Sequence, residues 1–258
     1  MKILVCVKQV CDSADTISIN DSAGWITYGR NTVFRMNRYD EYAVEEALRI
    51  RERLGDTIID VLSIGPERVG KTIRRALEMG ADHGIHVLFE EERYMDPAER
   101  ASLIASVAGK RKYDLILMGI MAEDDMECQV GGLTAEMLGY ECATGVIHQE
   151  ISLGLAEVSL ERELEGGRRQ CLTMRLPAVL TVQSGINTPR YPALTHVLKA
   201  RSAKLECIEA HELPVLPSPQ RLVRMDLPEE GAKGEFLEGT QHEKARALLD
   251  ILHEHSLL

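Results

Sequence analysis

Short runs of branched apolar residues alternate along the first half of this chain with longer stretches that carry an apolar stripe, and that rhythm constrains the fold more than any other feature. Five runs have the length and Val/Ile/Leu content of strands buried on both faces: Ile3 to Val7, Ile58 to Ile64, Gly84 to Leu88, Leu115 to Met118 and Val179 to Val182. Between them, Tyr39 to Arg53 sets Tyr39, Tyr42, Ala43, Ala47, Leu48 and Ile50 along one helical side, closed by Gly55. A second helix starts from Gly65-Pro66-Glu67, carries Val69, Ile73, Ala76 and Leu77 on its apolar face, and stops at Gly80. A third begins at Pro97 and runs through Leu103, Ile104 and Val107. Strands and helices alternating at this length predict βαβ units in a doubly wound, mostly parallel, Rossmann-like sheet of the α/β class.

After Met118 the rhythm changes. A loop with Glu123, Asp124 and Asp125 leads into a helix that begins near Gln129 and includes Leu133, Ala135 and Met137. From Val146 to Val182 the pattern is β-rich, with Gly166-Gly167 as a hairpin turn. Leu213 to Pro219 holds three of the nine prolines, the composition of a linker. Beyond it, Gln241 to His255 forms an amphipathic helix with Ala245, Leu248, Leu249 and Leu252 on one side. That stripe has to be covered, by its own domain or by a partner chain, and the pattern leaves both open. The expected organisation is an α/β domain over 1–212, then a linker and C-terminal helix over 213–258.

A net charge of -11 and a pI of about 5.3 exclude a nucleic-acid partner, which requires a basic footprint. No apolar run approaches the ~20 residues that span a bilayer. The opening Met1-Lys2-Ile3-Leu4-Val5-Cys6-Val7 reads as a first strand rather than a leader, so a cytoplasmic location is expected. The six cysteines form no CxxC pair and the eight histidines no ligand pair. The thiols are expected to be reduced and mostly buried, with no metal site.

An open parallel sheet takes ligands at the carboxyl ends of its strands, beside the switch point. Four stretches should meet there: Cys6 to Lys8, Met36-Asn37-Arg38-Tyr39, Ile64-Gly65-Pro66, and Gly119 to Gly132. The helix opening Gln129-Val130-Gly131-Gly132 would aim free amide N–H groups at one spot, as a phosphate site does, and its glycines would let an anion approach closely. The acids Glu123, Asp124, Asp125 and Glu127 oppose an anion unless they point away or cap the helix. The stretch matches neither GxGxxG nor GxxxxGK[ST], so a phosphate site and an ordinary glycine-containing connection both remain open. Asp124 and Asp125 could act in acid–base chemistry or simply be caps and solvated charge. Lys8 could meet phosphate or be a surface lysine. Arg162-Glu163 could form a partner salt bridge or a solvated strand face, and Arg68, Lys71, Arg74 and Arg75 read as a solvent-facing basic side. No Ser–His–Asp or Cys–His arrangement is readable from spacing.

Over essentially its whole length the sequence resembles the electron-transfer flavoprotein β-subunit family. The resemblance lies in Lys2 to Gln9 (KILVCVKQ), Asn37 with Tyr39 to Glu46 (YDEYAVEE), Gly65-Pro66, Ala76 to Asp82 (ALEMGAD), Glu161 to Gly167 (ERELEGG), Pro177 to Thr181 (PAVLT), Asn187 to Tyr191 (NTPRY) and Ala193-Leu194. Arg221 to Gly239 resembles the longer C-termini of members that serve methylated-amine dehydrogenases. The chain departs from the family pattern at Arg38, Ile120, Met121 and Met126.

The resemblance implies a heterodimer whose α-subunit carries the redox FAD, while this chain holds AMP without a redox role. By matching position, the AMP contacts would be Cys6, Asn37, Arg38, Tyr39, Asp40, Ile64, Gly119, Ala122, Asp124, Cys128, Gln129, Val130 and Gly131. Arg162 and Glu163 would lie at the boundary with the α-subunit and its flavin domain. Tyr191 to Lys199 would be the recognition loop for acyl-CoA or amine dehydrogenases, with Leu194 as apolar anchor, and a membrane quinone oxidoreductase is a further partner of such carriers. The C-terminal helix would clasp the α-subunit. Two alternatives accompany this reading: a bifurcating assembly with a second FAD in place of AMP, and a stand-alone nucleotide-binding protein of the same fold.

Overall fold

The computed structural model describes residues 1–12, 18–20, 25–91, 93–152, 154, 156–216, 220–227, 234 and 236–257. They fall into two compact units, Met1–Met225 and Asp226–Leu258. The first opens with β1 (Lys2–Cys6) and four three-residue strands, β2 (Gln9–Cys11), β3 (Ser18–Asn20), β4 (Trp25–Thr27) and β5 (Phe34–Met36). These short strands pair as antiparallel ribbons, β2 with β5 and β3 with β4. The βαβ rhythm follows as α1 (Arg38–Leu54), β6 (Ile58–Gly65), α2 (Gly70–Met79), β7 (His83–Leu88), α3 (Pro97–Ala108), β8 (Leu115–Gly119) and α4 (Val130–Leu138). Then come β9 (Glu141–Ser152), β10 (Glu157–Leu164), β11 (Arg168–Arg175), β12 (Ala178–Val182), α5 (Leu194–Ser202) and β13 (Glu206–Glu209). In the second unit, α6 (Gln241–Glu254) is set by a capping box between Thr240 and Glu243.

The central sheet has nine strands in the order β11-β10-β9-β12-β8-β1-β6-β7-β13. From β9 to β13 every pairing is parallel, while β10 and β11 fold back antiparallel. The sheet is covered on both sides, and residue parity divides the core. Ile3 and Val5 of β1 pack with α1 and α2, whereas Leu4 and Cys6 pack with α3 and α4. Each fully buried Ile or Leu contributes about 1.5–3 kcal/mol by leaving water, which is why these strands read as unbroken apolar runs.

The chain lays β6 and β7 to one side of β1, then crosses to place β8 on the other. The switch point is therefore at the carboxyl ends of β1 and β8. β9 starts level with β12, pairing Glu141 with Ala178, and runs on beyond Val146, which pairs with Val182. Its last half thus projects past the carboxyl edge of the parallel strands with the start of β10 and the end of β11, while the turn of the β10–β11 hairpin lies back alongside the sheet. The hairpin turns at Gly166 and Gly167, whose φ values of 72° and 69° suit glycine.

Two expectations are corrected. The cysteines are free but not mostly buried: Cys6 is buried and Cys11 half-buried, while Cys128, Cys142, Cys171 and Cys207 are exposed. The reason is position, since Cys171 lies on the edge strand β11 and Cys207 on the edge strand β13. The basic residues after β6 do not form one solvated face either. Arg68 stacks over Tyr28 and Phe34, at 5.2 and 4.6 Å from the ring centres. Arg74 donates to the carbonyls of Ala200 and Ala203 at the end of α5, and Lys71 alone of the four is exposed. Of the proline-rich stretch, 217–219 lie outside the described residues, as do 228–233 and 235 of Arg221 to Gly239. No helix among the described residues is long and apolar enough to cross a membrane.

Candidate functional site

A cavity of about 480 Å³ opens at the switch point, within the roughly 300–1,000 Å³ of small-molecule sites. Cys6 at the tip of β1, Ile64 near the tip of β6 and Gly119 at the tip of β8 line its floor. Asn37 and Asp40 reach it from the start of α1, and Ala122 and Asp124 from the acidic loop. Cys128, Gln129, Val130 and Gly131 line it at the opening of α4. Sequence reasoning had these residues meeting at one place, and the fold brings them together. Arg38 and Tyr39 sit beside the cavity rather than in its lining: Arg38 is exposed with its guanidinium 3.7 Å from Glu123, and the Tyr39 backbone packs against Gly119.

The aromatic part of the lining was not anticipated. The single tryptophan, Trp25, and two of the three phenylalanines, Phe34 and Phe89, line the cavity with Tyr28 and Tyr94. Trp25 and Tyr94 meet at a tilt of 57° with centres 5.6 Å apart, and Tyr28 meets Phe34 edge-on at 5.0 Å. Such a concentration, in a chain that is 4% aromatic, suits a flat ring system.

The first turn of α4 also lines the cavity, and it presents amide N–H groups that helix geometry leaves without intrahelical partners. The Gln129 side chain makes no capping bond to them. Cys128, just before the helix, takes a left-handed φ of 56° that turns the chain into it.

The acidic loop does not oppose an anion, because cations hold its carboxylates. Lys8 Nζ donates to Asp124 Oδ1 (2.6 Å) and Asp125 Oδ2 (2.7 Å). Arg100 Nη1 donates to Asp125 (2.6 Å) and lies 3.7 Å from Glu127, while Arg35 lies 2.9 Å from Glu123. Burial pushes the Asp125 carboxyl up, but Lys8 and Arg100 outweigh it and hold the group below its usual range. The Tyr94 hydroxyl donates to Glu127 (2.5 Å), and burial, then this bond, pushes the phenol up to about 12. Lys8 is thus the loop's counter-ion: Asp125 lies half-buried between Lys8 and Arg100, while Asp124 pairs with Lys8 but stays exposed.

Two polar side chains at the start of α1 fasten the loop to the strands. Asn37 Nδ2 donates to the Met121 carbonyl (2.9 Å), and its Oδ1 accepts from Glu123 N–H (3.1 Å). Asp40 accepts from the backbone N–H groups of Lys8 (2.7 Å) and Gly119 (2.9 Å), joining the tips of β1 and β8. Burial pushes the Asp40 carboxyl up to about 7 against those bonds. Both side chains shape the cavity through bonds to the protein's own backbone.

The two glycines of α4 differ in role. A Cβ on Gly131 would fall 2.2 Å from Thr181 Cγ2, whereas one on Gly132 would meet nothing within 4 Å. Gly131 is therefore required for close packing of α4 on β12, beyond any approach of an anion. Gly131→Val is expected to destabilise the protein by about 1–3 kcal/mol through overpacking, and Gly132→Ala by none. Urea unfolding midpoints of the two variants check this, and equal midpoints would remove the packing role.

The four residues expected at partner surfaces lie outside the cavity. Arg162, half-buried on β10, donates to Thr144 Oγ1 (3.0 Å) beside a register shift between β9 and β10, and Glu163 is exposed. The pairing of Arg162 with Val146 sets them at the carboxyl edge of the sheet. Tyr191 is 95% exposed and Leu194 73%. Tyr191 to Lys199 is a loop only at first, since α5 begins at Leu194. Sequence reasoning missed what holds this segment. Glu45 and Glu46 are buried, and they bind Arg190 and Asn187. The signal was two acids between Ala43-Val44 and Ala47-Leu48, inside an apolar stretch.

The electron transfer flavoprotein domain profile matches residues 26–213. The chain is 37% identical to electron transfer flavoprotein subunit beta of Bos taurus over 245 residues, 93% of this chain and 94% of that one. It is 33% identical to electron transfer flavoprotein subunit beta of Bacillus subtilis (strain 168) over 269 residues, covering 98% and 97%. It is 30% identical to the protein of that name from Methylophilus methylotrophus over 263 residues, 98% of each.

Proposed function

The chain belongs to the electron transfer flavoprotein β-subunit family, and from that premise we propose that it is the nucleotide-holding, partner-docking half of a heterodimer whose α-subunit carries the redox FAD. The observation that carries the nucleotide assignment is the cavity at the switch point, lined both by a cluster of aromatic rings and by the opening turn of α4. The two kinds of lining suit the two chemistries of AMP, an aromatic base and a phosphate. The amides from Cys128 to Gly131 would hold the phosphate, with Cys6, Asn37 and Ile64 beside the nucleoside. Pairing of the acids with Lys8, Arg35 and Arg100 leaves room for the anion's charge.

FAD in the α-subunit would supply the one-electron chemistry, and no group of this chain is assigned to proton transfer. Arg162 and Glu163 would meet the α-subunit near the flavin domain, and the linker and α6 would clasp it. Tyr191 and Leu194 would dock an acyl-CoA or methylated-amine dehydrogenase as electron donor, and a membrane quinone oxidoreductase would accept the electrons.

Releasing the nucleotides from the denatured heterodimer and separating them by chromatography tests the reading. One FAD and one AMP per heterodimer are expected. Two FAD without AMP would transfer the cavity to a second flavin and make the assembly a bifurcating one, and a heterodimer without AMP or a second FAD would overturn the nucleotide assignment.

A further inference from the structure

The exposed tip at Tyr191 and Leu194 is attached to the body of the protein by the residue just before it. Arg190 grips Glu45 of α1 as a two-pronged fork, with Nε on Oε2 (2.8 Å) and Nη2 on Oε1 (2.9 Å). Its backbone N–H also donates to Glu45 Oε2 (3.1 Å), and Nη1 donates to Glu52 (2.5 Å). Three residues earlier, Asn187 Nδ2 donates to Glu46 Oε2 (2.9 Å) and to the Tyr42 carbonyl (3.0 Å). Pro189 and Pro192 flank the Arg190-Tyr191 pair and fix two backbone angles. Glu45 is 4% exposed, while Tyr191, one residue past Arg190, is 95% exposed.

Resting on the docking role proposed above, we infer that Arg190 is the positioning residue of that surface. Its fork on Glu45 holds Tyr191 to Leu194 in the geometry a dehydrogenase binds, so docking does not have to order the segment. Lysine keeps the charge at this position but cannot form the fork. Preorganisation of this kind raises affinity without adding a contact to the partner.

The test uses the heterodimer and an acyl-CoA or a methylated-amine dehydrogenase, whichever reduces the wild type. Arg190→Lys is expected to raise the KM for the heterodimer about tenfold, with kcat and AMP content unchanged. Glu45→Asp, which withdraws the fork's acceptor by one methylene, should give the same split and serves if the first variant folds poorly. In the double variant with Leu194→Ala, Arg190→Lys should add less than twofold, because it acts through the tip. Unchanged KM in both single variants, or full additivity with Leu194→Ala, would overturn the positioning role. Leu194→Ala without effect would instead overturn the docking reading on which it rests.

Discussion

Asp40→Ala is expected to destabilise the protein by about 2–3 kcal/mol, since it leaves two half-buried backbone donors unpaired, each at the lower end of the about 1–3 kcal/mol that a buried donor costs. Those donors are Lys8 N–H at the tip of β1 and Gly119 N–H at the tip of β8. The same change frees the start of the acidic loop, so AMP content should fall with stability. Urea unfolding measures the first effect, and a loss below about 1 kcal/mol would mean that other groups satisfy the two amides. Titration gives a second readout. Asp40 is pushed from 3.8 up to about 7 by burial, so the folded chain holds a proton there that the unfolded chain has released. The stability it contributes is fully present below the unfolded value and is lost as pH rises through about 7. Neighbouring Cys6 stays neutral over that window, because burial and then the Asp40 charge push its thiol up. Asp40→Asn lacks the proton, so the stability difference, wild type minus variant, should shrink between about pH 4 and pH 7. A difference that stays flat with pH would show that Asp40 is ionised throughout.

The parallel strands were legible because burial on both faces leaves an unbroken apolar run, as in Leu115 to Met118. Strands with an edge or a solvated face leave no such mark. β13 is Glu206-Cys207-Ile208-Glu209, and β9 begins Glu141-Cys142-Ala143-Thr144, neither of which stands out from a loop. The site was legible to the extent that strand tips and helix starts are local features. Its electrostatics were not, since Lys8 meets Asp124 and Asp125 across 116 and 117 residues of sequence. The two acids invite an acid–base or capping reading until their partner is seen. Asp40 was placed at the site from the family motif, but its task of joining two strand tips depends on a register that only the sheet supplies. Glu45 and Glu46 mark the same limit: a helical stripe assigns charge to the solvent side, and here β9 and the Asn187 to Arg190 segment cover it.

Leu194→Ala should lower kcat/KM for the donor dehydrogenase by about 30-fold, the effect of removing a hot-spot contact near 2 kcal/mol. Burying a leucine is worth about 1.5–3 kcal/mol, and Leu194, 73% exposed in this chain, has nearly all of that still to gain from a partner. The same exposure means that the fold loses little when the side chain is cut back. Alanine at the first position of α5 is a better helix former than leucine, so the presenting element is kept. The loss should therefore fall on association, with the unfolding midpoint, FAD content and AMP content unchanged. Tyr191 offers a comparison on the same tip, being more exposed still but ahead of the helix. If Leu194 is the anchor, Tyr191→Ala costs less than Leu194→Ala. Equal losses would spread the docking energy over the segment, and full activity in Leu194→Ala would move the dehydrogenase to another surface of the heterodimer.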